Sequence, residues 1–237
     1  MKFNIVNYSN IEYHRDTHWH RVSDYFHGIY SKYIKENYWC LDIGANCGDT
    51  SFPMVDYTGL DGKIICFEPK SNVFDLLEKN VARTNLSSVM DIYNVATDTA
   101  YGDKYFSMPP NDLNGGIIEG FCMEERGPIN YPTLIKCIDV SHFLIETYGM
   151  KNLTEKLKFI KIDIEGYDYI VLNHLKEIIQ SAKPVILMEW WSHISKNDNI
   201  FDMIDSLDYQ VFRADTDAPV TREDFDRKSE DLILIPR

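Results

Sequence analysis

The stretch WCLDIGANCGDT, residues 39–50, decides the fold. An apolar strand carries Asp42 near its end, the chain turns through Gly44-Ala45-Asn46-Cys47-Gly48, and the residues that follow read as the start of a helix. In an open α/β sheet, ligands bind beyond the carboxyl ends of such strands, beside a helix N-terminus. Working outward, short β-rich apolar runs recur at 63–68, 91–96, 158–163, 185–189, 209–213 and 232–235. Helical patterns lie between several of them. Val73, Leu76, Leu77 and Val81 fall at i, i+3, i+4 and i+8, which is one apolar stripe. Ile170, Val171, His174, Leu175, Ile178 and Ile179 form a second stripe, ended before Pro184. Strand–helix–strand units of about 25 residues imply right-handed crossovers and a parallel sheet covered on both faces. The predicted class is α/β, a doubly wound and mostly parallel sheet with helices on both faces.

A chain of 237 residues fits one domain of this kind. Residues 1–37 carry a helix-like segment around 15–33, expected to cap the sheet or its active edge, and 38–237 supply the sheet core. Within the core, 101–137 holds Pro109-Pro110, Gly115-Gly116 and Gly127-Pro128, which is turn chemistry and reads as a substrate-loop insertion. The acidic connection 215–231 is too rich in turn formers to place a helix.

Hydrophobic residues at 44% and charged residues at 26% exclude a disordered or fibrous chain. The net charge of −13, with no cluster of Lys and Arg, argues against duplex nucleic acid or an anionic membrane as partner. Five scattered cysteines without C-x-x-C spacing give neither a disulfide framework nor a structural zinc site. The N-terminus lacks a signal-peptide core, and no run approaches a membrane span. The expected location is the cytoplasm.

The loop at 44–48 is G-x-x-x-G, with Asn46 where a dinucleotide-binding G-x-G-x-x-G loop has its second glycine. Asp42 beside it would repel a pyrophosphate but suits a ligand carrying an ammonium and a sulfonium. S-adenosylmethionine has both, and its carboxylate matches the amides of Asn46 to Gly48 at the helix start. Glu68 lies at the tip of the second strand, at a distance where an acid accepts hydrogen bonds from a ribose diol. The third strand ends in Ala96-Thr97-Asp98, which places Thr97 and Asp98 near an adenine amine. In FIKIDIEGYD, residues 159–168, Asp163 and Glu165 leave a strand toward one ligand mouth, and VILMEWW ends in Glu189, Trp190 and Trp191 on the neighbouring strand. Asp163 and Glu189 are therefore placed to share a divalent cation or to flank a substrate hydroxyl.

Taken together, Asp-Ile-Gly-Ala-Asn (42–46), Phe-Glu-Pro (67–69), Lys-Ile-Asp-Ile-Glu-Gly-Tyr-Asp (161–168) and Leu-Met-Glu (187–189) resemble the FkbM-type S-adenosylmethionine-dependent methyltransferase family. The resemblance runs from about residue 39 to 189. It implies a Rossmann-like class I methyltransferase fold, whose seven-stranded sheet has a reversed last strand. It also implies O-methylation, commonly of a sugar or polyketide-derived hydroxyl, in which Asp42, Gly44, Asn46, Gly48 and Glu68 hold the cofactor and Asp163 with Glu165 faces the reaction.

A sugar hydroxyl is a poor nucleophile until its proton leaves. Either a base takes it, with His193, Glu165 and Asp163 as candidates, or a Mg²⁺ on Asp163 and Glu189 acidifies it. Asn114, beside Gly115-Gly116, is a candidate acceptor-loop residue, and Tyr131, Trp190 and Trp191 are candidates to stack on a sugar face. His14, His18, His20 and His27 lack a completing ligand and read as surface or packing residues, and His174 as a satisfied core histidine. Two other classes stay open at this level. One is an NAD-dependent Rossmann oxidoreductase or epimerase, although neither its third loop glycine nor a Tyr-x-x-x-Lys pair is found. The other is a non-catalytic cofactor-binding module.

Overall fold

Seven strands form the main sheet because their residues are apolar on both sides and need cover on both. In the computed structural model, which describes residues 5–12, 19–107, 116–117, 132–190, 200–224 and 230–237, they are β1 (Trp39–Ile43), β2 (Lys63–Phe67), β3 (Met90–Tyr93), β8 (Leu157–Ile162), β9 (Val185–Trp190), β10 (Tyr209–Arg213) and β11 (Glu230–Pro236). Their order is β10-β11-β9-β8-β1-β2-β3. β1, β2, β3, β8 and β9 pair in parallel, while β11 runs antiparallel to both β9 and β10. The order turns back at β1, so the crevice beyond β1 and its neighbours β2 and β8 is where a ligand belongs.

Side chains alternate between two cores. Leu41, Ile43, Ile65, Phe67, Ile160, Ile162, Ile186 and Met188 face one. Its helices are α4 (Val140–Tyr148), α5 (Met150–Lys156), α6 (Asp168–His174), α7 (Lys176–Ala182) and α8 (Ile200–Leu207). Cys40, Ile64, Cys66, Phe159 and Leu187 face the other. There the cover is α1 (Trp19–Tyr33), α2 (Ser51–Thr58) and α3 (Ser71–Thr84). The helix expected near 15–33 is α1, which lies against α2 and reaches the sheet through the Tyr25 hydroxyl, a donor to Asp231 Oδ2 at 2.9 Å. Among the described residues no helix is long and apolar enough to cross a membrane.

Three expectations change. The third strand does not run through 96: β3 stops at Tyr93, and Asn94 donates to the carbonyls of Glu68 (2.9 Å) and Pro69 (3.2 Å), turning the chain off the sheet edge. Ala96–Asp98 is instead β4 of a second, four-stranded sheet. Second, 101–137 is not turns alone. It holds β5 (Gly102–Ser107), β6 (Gly116–Ile117) and β7 (Pro132–Asp139), and the sheet order is β4-β7-β5-β6. The alternation of Leu134, Ile135, Lys136 and Cys137, exposed then buried, is what makes β7 a strand. Third, the stripe 170–179 is two helices, broken at Leu175 where ψ is 4°.

Candidate active site

The loop after β1 is fixed by its own backbone. Gly44 and Ala45 both donate their amides to the carbonyl of Phe67, each at 3.0 Å, and so hold β1 to the end of β2. Gly44 has φ +83°, and a Cβ there would lie 2.0 Å from the carbonyl oxygen of Asp163. Glycine is therefore needed here for the close approach of the chain that leaves β8. At Gly48, φ +93°, a Cβ would lie 2.4 Å from the Phe52 ring.

The amides expected to receive a carboxylate are all engaged. Asn46 donates to Glu68 Oε2 at 3.0 Å, Cys47 to the Asn46 side chain at 2.8 Å, and Gly48 to the Ala45 carbonyl at 2.8 Å. Asn80 of α3 adds a 3.0 Å bond to the Cys47 carbonyl.

Glu68 Oε1 also accepts the Lys70 amide at 2.8 Å, so each oxygen of this carboxylate, 7% exposed, has one donor and one lone pair to spare. Burial pushes Glu68 up to about 7 against the pull of those two amides. Burial also takes Asp49 up to about 7, opposed by Lys161 and reinforced by Asp42.

Asp42 is fully buried beneath the loop. Its Oδ2 accepts the hydroxyls of Thr50 (2.8 Å) and Ser51 (2.6 Å), and its Oδ1 lies 3.4 Å from Lys161 Nζ. It orders the loop and the start of α2 from below. Lys161, on β8 in register with Asp42, is 2% exposed and reaches Asp163 Oδ2 at 3.2 Å. Burial by itself would lower its pKa, but the carboxylates of Asp163, Asp42 and Asp49 outweigh that and raise it above the usual lysine value. Breaking such a buried pair from one side costs about 3–5 kcal/mol.

Asp163, at the exit of β8, has 40% of its side chain exposed toward solvent. The chain then passes through Glu165 (φ +59°) and Gly166 (φ +97°). Asp168, buried at the start of α6, clamps this turn by accepting the amides of Ile164 (3.2 Å) and Gly166 (2.9 Å). Burial, then the charge of Asp163, pushes Asp168 well above the carboxylate range. Asp168→Ala strands two amides and is expected to cost about 1–3 kcal/mol, a fall in Tm of about 2–12 °C, read by calorimetry; Asp168→Asn, which keeps one acceptor, loses less.

Asp163, Glu165 and Glu189 converge: one carboxylate oxygen from each lies within 4.8 Å of the others, a geometry able to hold a divalent cation. Thr97 and Asp98 lie on β4, and Asp98 is bonded to the turn that follows β8. Its Oδ1 accepts the Tyr167 hydroxyl at 2.8 Å, and Lys104 Nζ stands 2.7 Å from Oδ2. Burial raises Asp98, but bonds from Lys104, Thr99 and Tyr167 prevail and lower it. Trp190 is enclosed in the core, 3% exposed, and is not presented at the mouth. His174 is satisfied by Asp139 at 2.7 Å, and His27 by the hydroxyls of Tyr8 (3.2 Å) and Tyr57 (3.1 Å). His193, Asn114, Tyr131, Trp191, His14 and His18 lie outside the described residues.

Two residues of the site, Lys161 and Asp168, stand at the ends of the 161–168 motif but have no role in the sequence reading. Lys161 carries a signal that could have found it, a lysine inside an otherwise apolar strand buried on both faces. Asp168 carries only its spacing from Glu165.

A family model described as the methyltransferase FkbM domain matches residues 42–213. Among solved structures, the methyltransferase FkbM from Methylobacillus flagellatus KT superposes with a TM-score of 0.53 at 17% identity, covering 90% of this chain and 50% of that one. This chain thus spans about half the length of that protein. The precorrin-6y C5,15-methyltransferase from Geobacter metallireducens GS-15 superposes at 0.50 with 8% identity and 98% coverage of both chains. The cofactor-bound Rv0187 from MTB superposes at 0.50 with 9% identity, covering 95% of this chain and 83% of that one. At such identities the likeness is one of fold, the Rossmann-like methyltransferase sheet. No curated protein matches the sequence.

Proposed function

Because the chain belongs to the FkbM methyltransferase domain family, we propose that it methylates a hydroxyl of a sugar, glycan or related small molecule with S-adenosylmethionine as donor. The observation that carries this is the run of carboxylates beyond the ends of the strands that flank the β1 loop: Glu68 after β2, Asp163 and Glu165 after β8, and Glu189 on β9, with Asp42 of β1 buried beneath them. Such a mouth draws a cationic ligand. S-adenosylmethionine, when bound, supplies an activated methyl on a positively charged sulfur.

Glu68 receives the ribose diol on the lone pairs that the Asn46 and Lys70 amides leave free. Gly44, Asn46 and Gly48 give the loop its shape, and Asp42 holds that shape from beneath. Thr97 is assigned to the adenine side through β4, and Asp98 beside it, its carboxylate taken by Tyr167 and Lys104, supports that strand. Asp163, with Glu165 beside it, takes the proton from the acceptor hydroxyl, a step worth 10²–10⁴-fold in typical enzymes. His193 is the second candidate for that proton, and Asn114 and the 101–137 segment are assigned to the acceptor. Among the described residues, Cys40, Cys66 and Cys137 are buried free thiols, which supports a reducing compartment such as the cytoplasm.

A screen of glycosides with isotope-labelled donor, read by mass for one added methyl, tests the function. Products on glycosides support it, and methylation confined to nitrogen or carbon acceptors contradicts it. The cluster of Asp163, Glu165 and Glu189 favours a second route, in which Mg²⁺ acidifies the hydroxyl. On the base route, exhaustive chelation leaves turnover unchanged. Loss of turnover restored by Mg²⁺ assigns the cluster to the metal.

Cofactor binding should also depend on pH. A diol donates to the ionised form of Glu68, so binding expels the proton that burial retains below about 7. Affinity for S-adenosylhomocysteine is expected to rise up to about tenfold per pH unit below that value and to level off above it. The stability of the empty protein has the opposite sign. The neutral carboxyl's contribution is fully present below about 4.5 and is lost as pH rises through about 7. Glu68→Gln should flatten the binding slope, which separates Glu68 from Asp49; a slope unchanged by that substitution assigns the proton elsewhere.

A further inference from the structure

Lys161 occupies a place where a lysine is costly. β8 is buried on both faces, and the residues flanking Lys161 on its own face are Phe159 and Asp163. Its ammonium touches three parts of the site at once: Asp42 Oδ1 at 3.4 Å, Asp163 Oδ2 at 3.2 Å and the carbonyl of Gly44 at 3.5 Å. Asp42 in turn holds the hydroxyls of Thr50 and Ser51, at the far end of the same loop. One buried cation therefore joins the loop that shapes the cofactor site to the carboxylate that faces the acceptor.

We infer that Lys161 is a positioning residue for methyl transfer, its ammonium fixing the cofactor loop against Asp163. The inference rests on the cofactor assignment above. The role is geometric: a neutral side chain of similar volume fills the same space yet supplies no donor to Gly44 or Asp163. A lysine present only to balance the charge of Asp42 would be dispensable once Asp42 is neutral.

The experiment compares wild type, Lys161→Met and the charge-balanced pair Asp42→Asn with Lys161→Met. Melting temperature and the calorimetric affinity for S-adenosylhomocysteine are read for each. Lys161→Met is expected to lower the melting temperature and weaken the affinity at least tenfold. The double variant should regain most of the melting temperature, because the carboxamide introduced at position 42 still accepts the two hydroxyls, while its affinity stays at least tenfold weak. Affinity that returns to within twofold of wild type as the double variant regains stability overturns the inference and leaves Lys161 a charge partner alone. If Lys161→Met does not fold, the double variant carries the same comparison. Wild-type protein that fails to bind the probe instead overturns the cofactor assignment, and the inference with it.

Discussion

Gly44→Ala is expected to lower the melting temperature by about 5–15 °C and to weaken S-adenosylhomocysteine binding by more than tenfold. Two costs add at this position. A non-glycine residue at φ +83° costs about 1–2 kcal/mol. The added Cβ would sit 2.0 Å from the carbonyl oxygen of Asp163, which is backbone and has no rotamer to yield. Overpacking of that kind costs about 1–3 kcal/mol or more. The loop must then move off the end of β8, which breaks the two bonds from Gly44 and Ala45 to the Phe67 carbonyl and shifts Asn46 away from Glu68. Gly59→Ala is the control: its φ of +77° also carries a backbone penalty, but a Cβ there meets nothing within 4 Å. Its affinity should be unaffected. Calorimetry and scanning melts on both variants check this, and equal loss of affinity in both would remove the close contact with β8 as the cause.

Asp163→Ala is expected to separate chemistry from binding. Turnover on the acceptor that the glycoside screen identifies should fall by 10²–10⁴-fold, the usual contribution of a base. Affinity for S-adenosylhomocysteine should stay within about fivefold, because Lys161 keeps Asp42 as partner at 3.4 Å and the loop keeps its bonds to Phe67 and Glu68. Asp163→Asn is the sharper probe, since the amide preserves shape and an acceptor for Lys161 but cannot take a proton. Equal loss of turnover and affinity in the two variants would make Asp163 a cofactor ligand. Turnover intact in both would pass the proton to Glu165 or His193.

Much of this site is legible in the chain because it lies at strand ends. Asp42, Glu68, Asp163 and Glu189 each close an apolar run, and a parallel sheet gathers the ends of such runs on one edge. The reversed β11 beside β9 and β10 is implied by the family resemblance, because periodicity carries no strand direction. What the sequence hides is governed by contacts between distant residues. The fate of Asp98 depends on Asn94 turning the chain off the sheet edge, after which the nearby Lys104 and Tyr167, far along the sequence, claim its carboxylate. The tightness at Gly44 depends on the carbonyl of Asp163, over a hundred positions away. Trp190 follows Glu189 on β9, and the alternation of a strand buries it while Glu189 turns to the mouth. The two-residue period of the strand carries the core position of Trp190, against the expectation of an aromatic at a sugar site.

On this reading the acidic mouth formed beyond β2, β8 and β9, over the β1 loop, holds S-adenosylmethionine. The most direct measurement is calorimetric titration of the purified chain with S-adenosylhomocysteine, with NAD as the comparison. The account predicts saturable binding at one site with Kd of about 1–100 µM. At about a hundredfold excess over Kd the stabilisation is about 2.7 kcal/mol, a rise in Tm of about 5–11 °C, whereas NAD gives neither heat nor shift. No saturable heat and no shift with S-adenosylhomocysteine, or binding of NAD in its place, would contradict it.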